Sequence, residues 1–309
     1  MHLLSGAAVF ILSIVTVGPA AANSNAVKDG IAAYSAGDFS GAYKAFSLAA
    51  AGGDAEAQFN LGRMYCSGQG VIQNDATGAA WYRKAALQGH AAAQFKLGVY
   101  YDLGQGVPQS DTLAVEWFTK SAAQGYAEAQ NSLGGMYEYG LGVAQDFAVA
   151  AEWYRKAALQ GDSFGQSNLA VLYDNGRGVN QDYAAAAEWY GKAAAQGNAF
   201  AQTNLGMMLE NGQGVTQSYA AAADWYTKAA AKNDALAQYN LAILFYYGRG
   251  VTRDFAMARK WSSSADKNAK PSEMLSDGVA PPRPLREQAQ RLQAMSDRML
   301  AAAPHAGTR

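Results

Sequence analysis

AEAQFNLGRMYCSGQGVIQNDATGAAWYRKAALQGH, residues Ala55 to His90, is the stretch that decides the fold. Its Gln58, Leu61, Gly62 and Tyr65 fall at i, i+3, i+4 and i+7, one face of an α-helix. Gly62 has no side chain, so a neighbouring helix can approach closely there. Gly68 supplies the left-handed conformation that closes a helix. Gly70 allows a tight turn, and Val71 can fold back onto the hairpin. Asn74 stands where a second helix needs a cap for its free N–H groups. Gly78, Trp81, Tyr82 and Ala85 then repeat the same helical spacing, and Gly89 ends that helix. The stretch predicts a helical hairpin with an apolar stripe on each helix.

The hairpin recurs every 36 residues: Trp81, Trp117, Trp153, Trp189, Trp225 and Trp261 are all of the chain's tryptophans and keep that period. So do Gln58, Gln94, Gln130, Gln166, Gln202 and Gln238, and the leucines from Leu61 to Leu241. The second-helix cap is Asn74, Ser110, Asp146, Asp182, Ser218 or Asp254: the residue type changes, the capping ability does not. Neither helix of a hairpin can bury its stripe alone, so the hairpins must stack. The sequence therefore predicts an all-α, right-handed α-solenoid superhelix of tandem helix-turn-helix repeats.

Outward from the array, the expected organisation is a signal peptide at 1–22, an N-terminal capping hairpin at 23–54 and six repeats at 55–90, 91–126, 127–162, 163–198, 199–234 and 235–268. A proline-containing linker at 269–284, a capping helix at 285–303 and a disordered tail at 304–309 follow. Leu3 to Val17 is apolar and uncharged, too short for a comfortable membrane span, and Gly18-Pro19 breaks it. Ala20-Ala21-Ala22 offers a small-residue cleavage site, so export to the periplasm or beyond is expected, with no stable membrane insertion afterwards. Asp38 is the expected cap of the N-terminal hairpin, Gly30 to Phe46. In the C-terminal helix, Leu285, Leu292, Met295 and Met299 are expected on one side.

Net charge is −1, which excludes the electrostatic footprint of a nucleic-acid binder. One cysteine, Cys66, leaves no internal disulfide. Beyond residue 22 the histidines are His90, at a repeat junction, and His305, in the tail; neither setting suits a metal site or a nucleophilic triad. The G-x-G elements lack the strand before them and the Lys-Ser/Thr after them that a phosphate loop needs. Asp102, Glu138, Asp174 and Glu210, with Cys66 at the same position, read as a solvated or partner-facing acidic ridge rather than a catalytic pair. The tryptophans read as core. No catalytic residue, metal or cofactor is expected.

The pattern resembles the Sel-1-like repeat family, relatives of the tetratricopeptide repeats. The family's motif appears as Ala55, Ala57, Gln58, Leu61, Gly62, Tyr65, Gly68, Gly70, Val71, Trp81, Tyr82, Lys84, Ala85, Ala86, Gln88 and Gly89, and returns five more times. The resemblance implies an adaptor or scaffold that binds proteins of the envelope or secreted space. A cysteine-rich branch of the family is linked to β-lactam binding or hydrolysis; this chain, with Cys66 alone, departs from it, as it does from an enzyme generally. Binding of envelope polysaccharide is the remaining alternative. By analogy with tetratricopeptide arrays, first helices should line a concave groove. The expected lining is Phe59, Asn60, Arg63, Phe95, Lys96, Val99, Asn131, Asn168, Val171, Asn204, Met207, Tyr239, Asn240 and Ile243. Asparagine amides would hold an extended peptide backbone there, and Phe95, Met207 and Tyr239 would anchor side chains.

Overall fold

Capping chemistry sets the helix boundaries. Asn74, Ser110, Asp146, Asp182, Ser218 and Asp254 each accept a hydrogen bond from a backbone N–H in the first turn of the helix that follows. Gly68, Gly104, Gly140, Gly176, Gly212 and Gly248 end the first helix of each repeat with φ between 65° and 69°. Asn233 takes a left-handed conformation, φ 64°, where the second helices of the four preceding repeats have Gly89, Gly125, Gly161 and Gly197. Asp38 caps its helix through Gly41 N–H at 2.8 Å.

The computed structural model describes residues 19–269 and 285–302. Most of the expected signal peptide, the linker and the tail lie outside them. The helices are α1 (Pro19–Ser35), α2 (Phe39–Ala51), α3 (Ala55–Ser67), α4 (Asp75–Leu87), α5 (Ala91–Leu103), α6 (Asp111–Ala123), α7 (Ala127–Tyr139), α8 (Phe147–Leu159), α9 (Ser163–Asn175), α10 (Tyr183–Ala195), α11 (Ala199–Asn211), α12 (Tyr219–Ala230), α13 (Ala235–Tyr247), α14 (Phe255–Asn268) and α15 (Leu285–Ala302). No strand occurs among the described residues. Pro19 opens α1, the helical position where its missing N–H costs nothing.

The chain divides into two compact units, Met1–Gln124 and Gly125–Arg309. Within each, every helix packs on the next. The hydrophobic clusters sit at repeat junctions. Tyr190, Ala193 and Ala194 of α10 join Leu205 and Met208 of α11; Tyr226 and Ala230 of α12 join Leu241 and Leu244 of α13. In the first unit Tyr82 and Ala86 of α4 meet Leu97 and Tyr100 of α5. Burying a leucine such as Leu97 gains about 1.5–3 kcal/mol, and the cluster that buries it includes Tyr82, Ala85 and Ala86 of the preceding repeat. This is the stacking the sequence requires.

Close approach explains two glycines. A Cβ on Gly62 would stand 2.6 Å from the Tyr82 ring of its own hairpin. A Cβ on Gly178 would stand 2.2 Å from the Phe147 backbone, at the start of the previous repeat's second helix. The second glycine of G-x-G-V therefore lets the loop rest on the preceding repeat as well as turn.

One expectation is refined and one corrected. Trp117 is buried, and the other five tryptophans are partly buried, with Trp81, Trp189, Trp225 and Trp261 packed against the core clusters. The lysine three residues on lies over the indole at 3.8 Å in Lys84–Trp81 and 3.7 Å in Lys156–Trp153, so part of each ring is covered by a cation instead of core. In α15 the buried side is Ala289, Leu292 and Ser296, not the methionine side; Met295 and Met299 are 39% and 40% exposed. The small residues let α15 seat closely on α14.

Candidate functional site

The first helices carry the candidate site, and hydrogen bonds decide which of their rows are free. Gln94, Gln166, Gln202 and Gln238 donate from Nε2 to carbonyls of the previous helix, Ala86, Ala158, Ala194 and Ala230, at 3.0–3.1 Å. Each of Gln58, Gln94, Gln130, Gln166 and Gln238 accepts in turn from a residue at the end of its own hairpin: Gln88, Gln124, Gln160, Gln196 and Asn268. The periodic glutamine is a buried stitch between hairpins.

The row beginning at Phe59 faces the next repeat. Phe59 stacks on His90 at 4.8 Å and tilts against Tyr82 at 5.6 Å. Its equivalents Ser167 and Thr203, both buried, meet the next caps: Asn198 donates to Ser167 Oγ at 3.2 Å, and Thr203 donates to Asp234 at 3.0 Å. Asn131 accepts from Asn168 at 2.9 Å. Phe95 tilts on Phe118 at 5.9 Å under the Lys96 ammonium at 5.4 Å. Tyr239 is half-buried and, with Ile243, borders a cleft whose other wall is Leu292 and Met295 of α15. These positions are seams between repeats more than an open lining.

The asparagine row is also partly spent. Asn60 is buried and donates both amide hydrogens to Glu56, to its carbonyl at 2.9 Å and its carboxylate at 2.8 Å, while accepting from Arg63 at 3.1 Å. Asn204 donates to Phe200 O at 2.8 Å. Asn240 hydrogen-bonds the Tyr226 phenol. A helical amide reaches its own i−4 carbonyl easily, which sequence spacing does not reveal. Asn168 and Asn204 each keep one donor.

The acidic ridge is corrected at two of its four positions. Glu138 is buried and accepts from Tyr154 OH at 2.6 Å; Glu210 accepts from Tyr226 OH at 2.8 Å. A buried phenol needs an acceptor, and the last turn of the first helix supplies it. Burial, then the neighbouring glutamate, pushes both phenols well above their ordinary range. Cys66 takes this place opposite Tyr82 and Tyr100, and burial raises its thiol pKa, the opposite of an activated nucleophile. Burial also raises the carboxyls of Asp102 and Asp174.

The open face lies a little further round the helix. In the second unit Phe164, Phe200 and Leu236 are 64%, 50% and 39% exposed. They lead, at i+4 and i+7, to Asn168, Asn204 and Asn240, then to half-exposed Val171, Met207 and Ile243. At i+11 stand Asn175, Asn211 and Tyr247, all exposed. In the first unit the corresponding residues include Arg63, whose guanidinium lies 5.1 Å from the Tyr34 ring, Lys96 and half-exposed Val99. The exposed row of Phe164, Phe200 and Leu236 falls outside the lining expected by analogy with tetratricopeptide arrays. Met64, fully buried where Tyr65 is only half so, shows that the buried stripe is centred elsewhere. Among the described residues no group of histidine, cysteine and carboxylates could hold a metal.

Stacked helical hairpins with junctional cores and an exposed first-helix face define an α-solenoid repeat protein. The chain belongs to the Sel1 repeat family, whose model matches residues 55–90, 91–126, 127–162, 163–198, 199–234 and 235–265. It is similar to a protective antigen of uropathogenic Escherichia coli strains displaying an SLR fold, with 32% identity and a TM-score of 0.75. That likeness covers 90% of this chain, which spans only 62% of the antigen structure. A Sel1 repeat protein from Oxalobacter formigenes is 30% identical with a TM-score of 0.72, covering 81% of this chain and 98% of that one. Among curated proteins no match is found. Sel1-repeat proteins commonly act as protein-interaction scaffolds. Among the described residues no helix is long and apolar enough to cross a membrane.

Proposed function

We propose that the chain is a protein-interaction scaffold that holds a segment of a partner protein along the first-helix face of its second unit. The observation that carries this is the exposure of Phe164, Phe200 and Leu236 at one equivalent position of successive repeats. Each leaves large apolar area in water, which contact with a partner would remove. The second amide hydrogens of Asn168 and Asn204 give that contact polar partners. The apolar Leu3–Val17 segment supports action in the periplasm or outside the cell, on an envelope or secreted partner.

The test is affinity capture from the native envelope fraction with the chain and its Phe164→Asp/Phe200→Asp double variant. Both side chains are largely exposed, so circular dichroism should show the helices intact. The expected result is a defined partner retained by the wild-type chain and lost at least tenfold by the variant. Equal retention by both would place recognition off this face.

A further inference from the structure

The sixth repeat departs from the other five on one face of its second helix, and three of the departures introduce a cation. Ala79, Ala151, Ala187 and Ala223 are buried, and in each case the valine of the next repeat's G-x-G-V loop packs on the same cluster: Val107, Val179, Val215 and Val251. The equivalent residue of α14 is Arg259. One position on, Glu116, Glu152, Glu188 and Asp224 give way to Lys260, a charge reversal. Leu87 and Leu159 give way to Lys267. The lysine that covers the tryptophan in the earlier repeats becomes Ser264.

These residues meet in a cleft of about 360 Å³ between α14 and α15, lined by Arg259, Lys260, Ser263, Ser264, Lys267 and Gln293. A solvated cap needs polarity but not one sign of charge. Here α14 and α15 carry six cations, Arg259, Lys260, Lys267, Arg286, Arg291 and Arg298, against three carboxylates in a chain whose net charge is −1. Each carboxylate is paired with an arginine: Asp297 with Arg259 at 2.5 Å, Asp266 with Arg286 at 3.5 Å, Glu287 with Arg291 at 2.9 Å. Lys260 and Lys267 have no carboxylate partner among the described residues. The i, i+4 pairs that neutralise the same helix face elsewhere, Glu116–Lys120 and Glu188–Lys192, both at 2.6 Å, are gone.

We propose that this cleft is an oxyanion site for a phosphate group, with Lys260 and Lys267 as the principal charges. Arg259, already held by Asp297, is a fixed positive wall. Ser263 and the Gln293 amide add donors; Ser264, now donating to Lys260 O at 3.1 Å, turns outward without loss of helix. Charge-assisted bonds to a phosphoryl oxygen would compensate the repulsion between like charges on this face. A free phosphate and one borne on a lipid headgroup share this chemistry.

Calorimetry of the full chain with inorganic pyrophosphate, and co-sedimentation with vesicles of phosphatidylglycerol in phosphatidylcholine, test the assignment and separate the sources. Pyrophosphate binding, or vesicle binding, that falls at least tenfold in Lys260→Gln/Lys267→Gln supports the site. The same binding should persist in Lys84→Gln/Lys120→Gln, whose lysines lie over tryptophans in other repeats. Binding of neither probe at low salt, or binding indifferent to the Lys260/Lys267 change, overturns it. Helicity by circular dichroism guards against an unfolded variant.

Discussion

At the residue scale, one break in a regular pattern gives a sharp prediction. The glutamine stitch is completed in most repeats by a second glutamine: Gln196 donates both to Gln166 Oε1 at 2.8 Å and to Gly161 O at 2.9 Å. The equivalent residue in the fifth repeat is Lys232, which donates to Gly197 O and leaves Gln202 Oε1 buried without a partner. A lysine's compact ammonium makes one of the two bonds that a glutamine's amide makes together. Lys232→Gln should therefore stabilise the second unit by about 1 kcal/mol, read as a higher midpoint in urea with an unchanged m-value. No change, or a loss, would mean that the orphaned oxygen is satisfied by water. The period of Gln58 and Gln88 was plain in the sequence; their bond to each other was not, because it joins the two ends of a hairpin 30 residues apart.

At the scale of the element, caps and junctions explain both what the sequence disclosed and what it hid. Second-helix caps are legible because their six positions hold only Asn, Ser and Asp, all within the set that can cap. First-helix caps are less legible, since His90 is an unusual choice and Tyr126 makes no side-chain cap bond. His90 Nδ1 accepts from Ala93 N–H at 3.1 Å, which leaves Nε2 facing the Glu56 carboxylate at 3.1 Å. That bond, ahead of the Asn60 bond, lowers the Glu56 pKa against its partial burial. A carboxyl whose folded pKa is depressed adds stability that is present above its unfolded pKa and is lost as pH falls through the folded one. The window therefore lies below the usual glutamate value of about 4.3. Wild type and Glu56→Gln should converge in stability as pH falls through that window and separate above it, measured by urea titration at several pH values. A pH-independent difference would contradict the role given to the pair. The effect is small, because the Glu56 side chain is 48% exposed.

At the scale of the whole molecule, periodicity alone carried the fold, since 36-residue spacing of Trp, Gln, Leu and Gly is a statement about stacking. The binding face was less legible. A helix turns 100° per residue, so a small error in centring the buried stripe moves the predicted lining from one row to its neighbour. The lining expected at Phe59, Asn131 and Tyr239 therefore falls at repeat seams, and the exposed Phe164 and Phe200 lie outside it. The same shift turned Glu138 and Glu210 from a surface ridge into acceptors for buried tyrosines. Residues that vary between repeats are of two kinds: some are free of packing, and others co-vary across a junction, as Phe59 with His90 and Thr203 with Asp234 do.

The measurement that bears most directly on the account is site-specific photo-crosslinking in the native envelope. The photoreactive residue is placed at Phe164 or Phe200 on the first helices, and at Glu152 or Glu188 on exposed faces of the second helices. The account predicts one discrete adduct, the same partner from Phe164 and from Phe200, and none from Glu152 or Glu188. Adducts confined to Glu152 and Glu188 would contradict it.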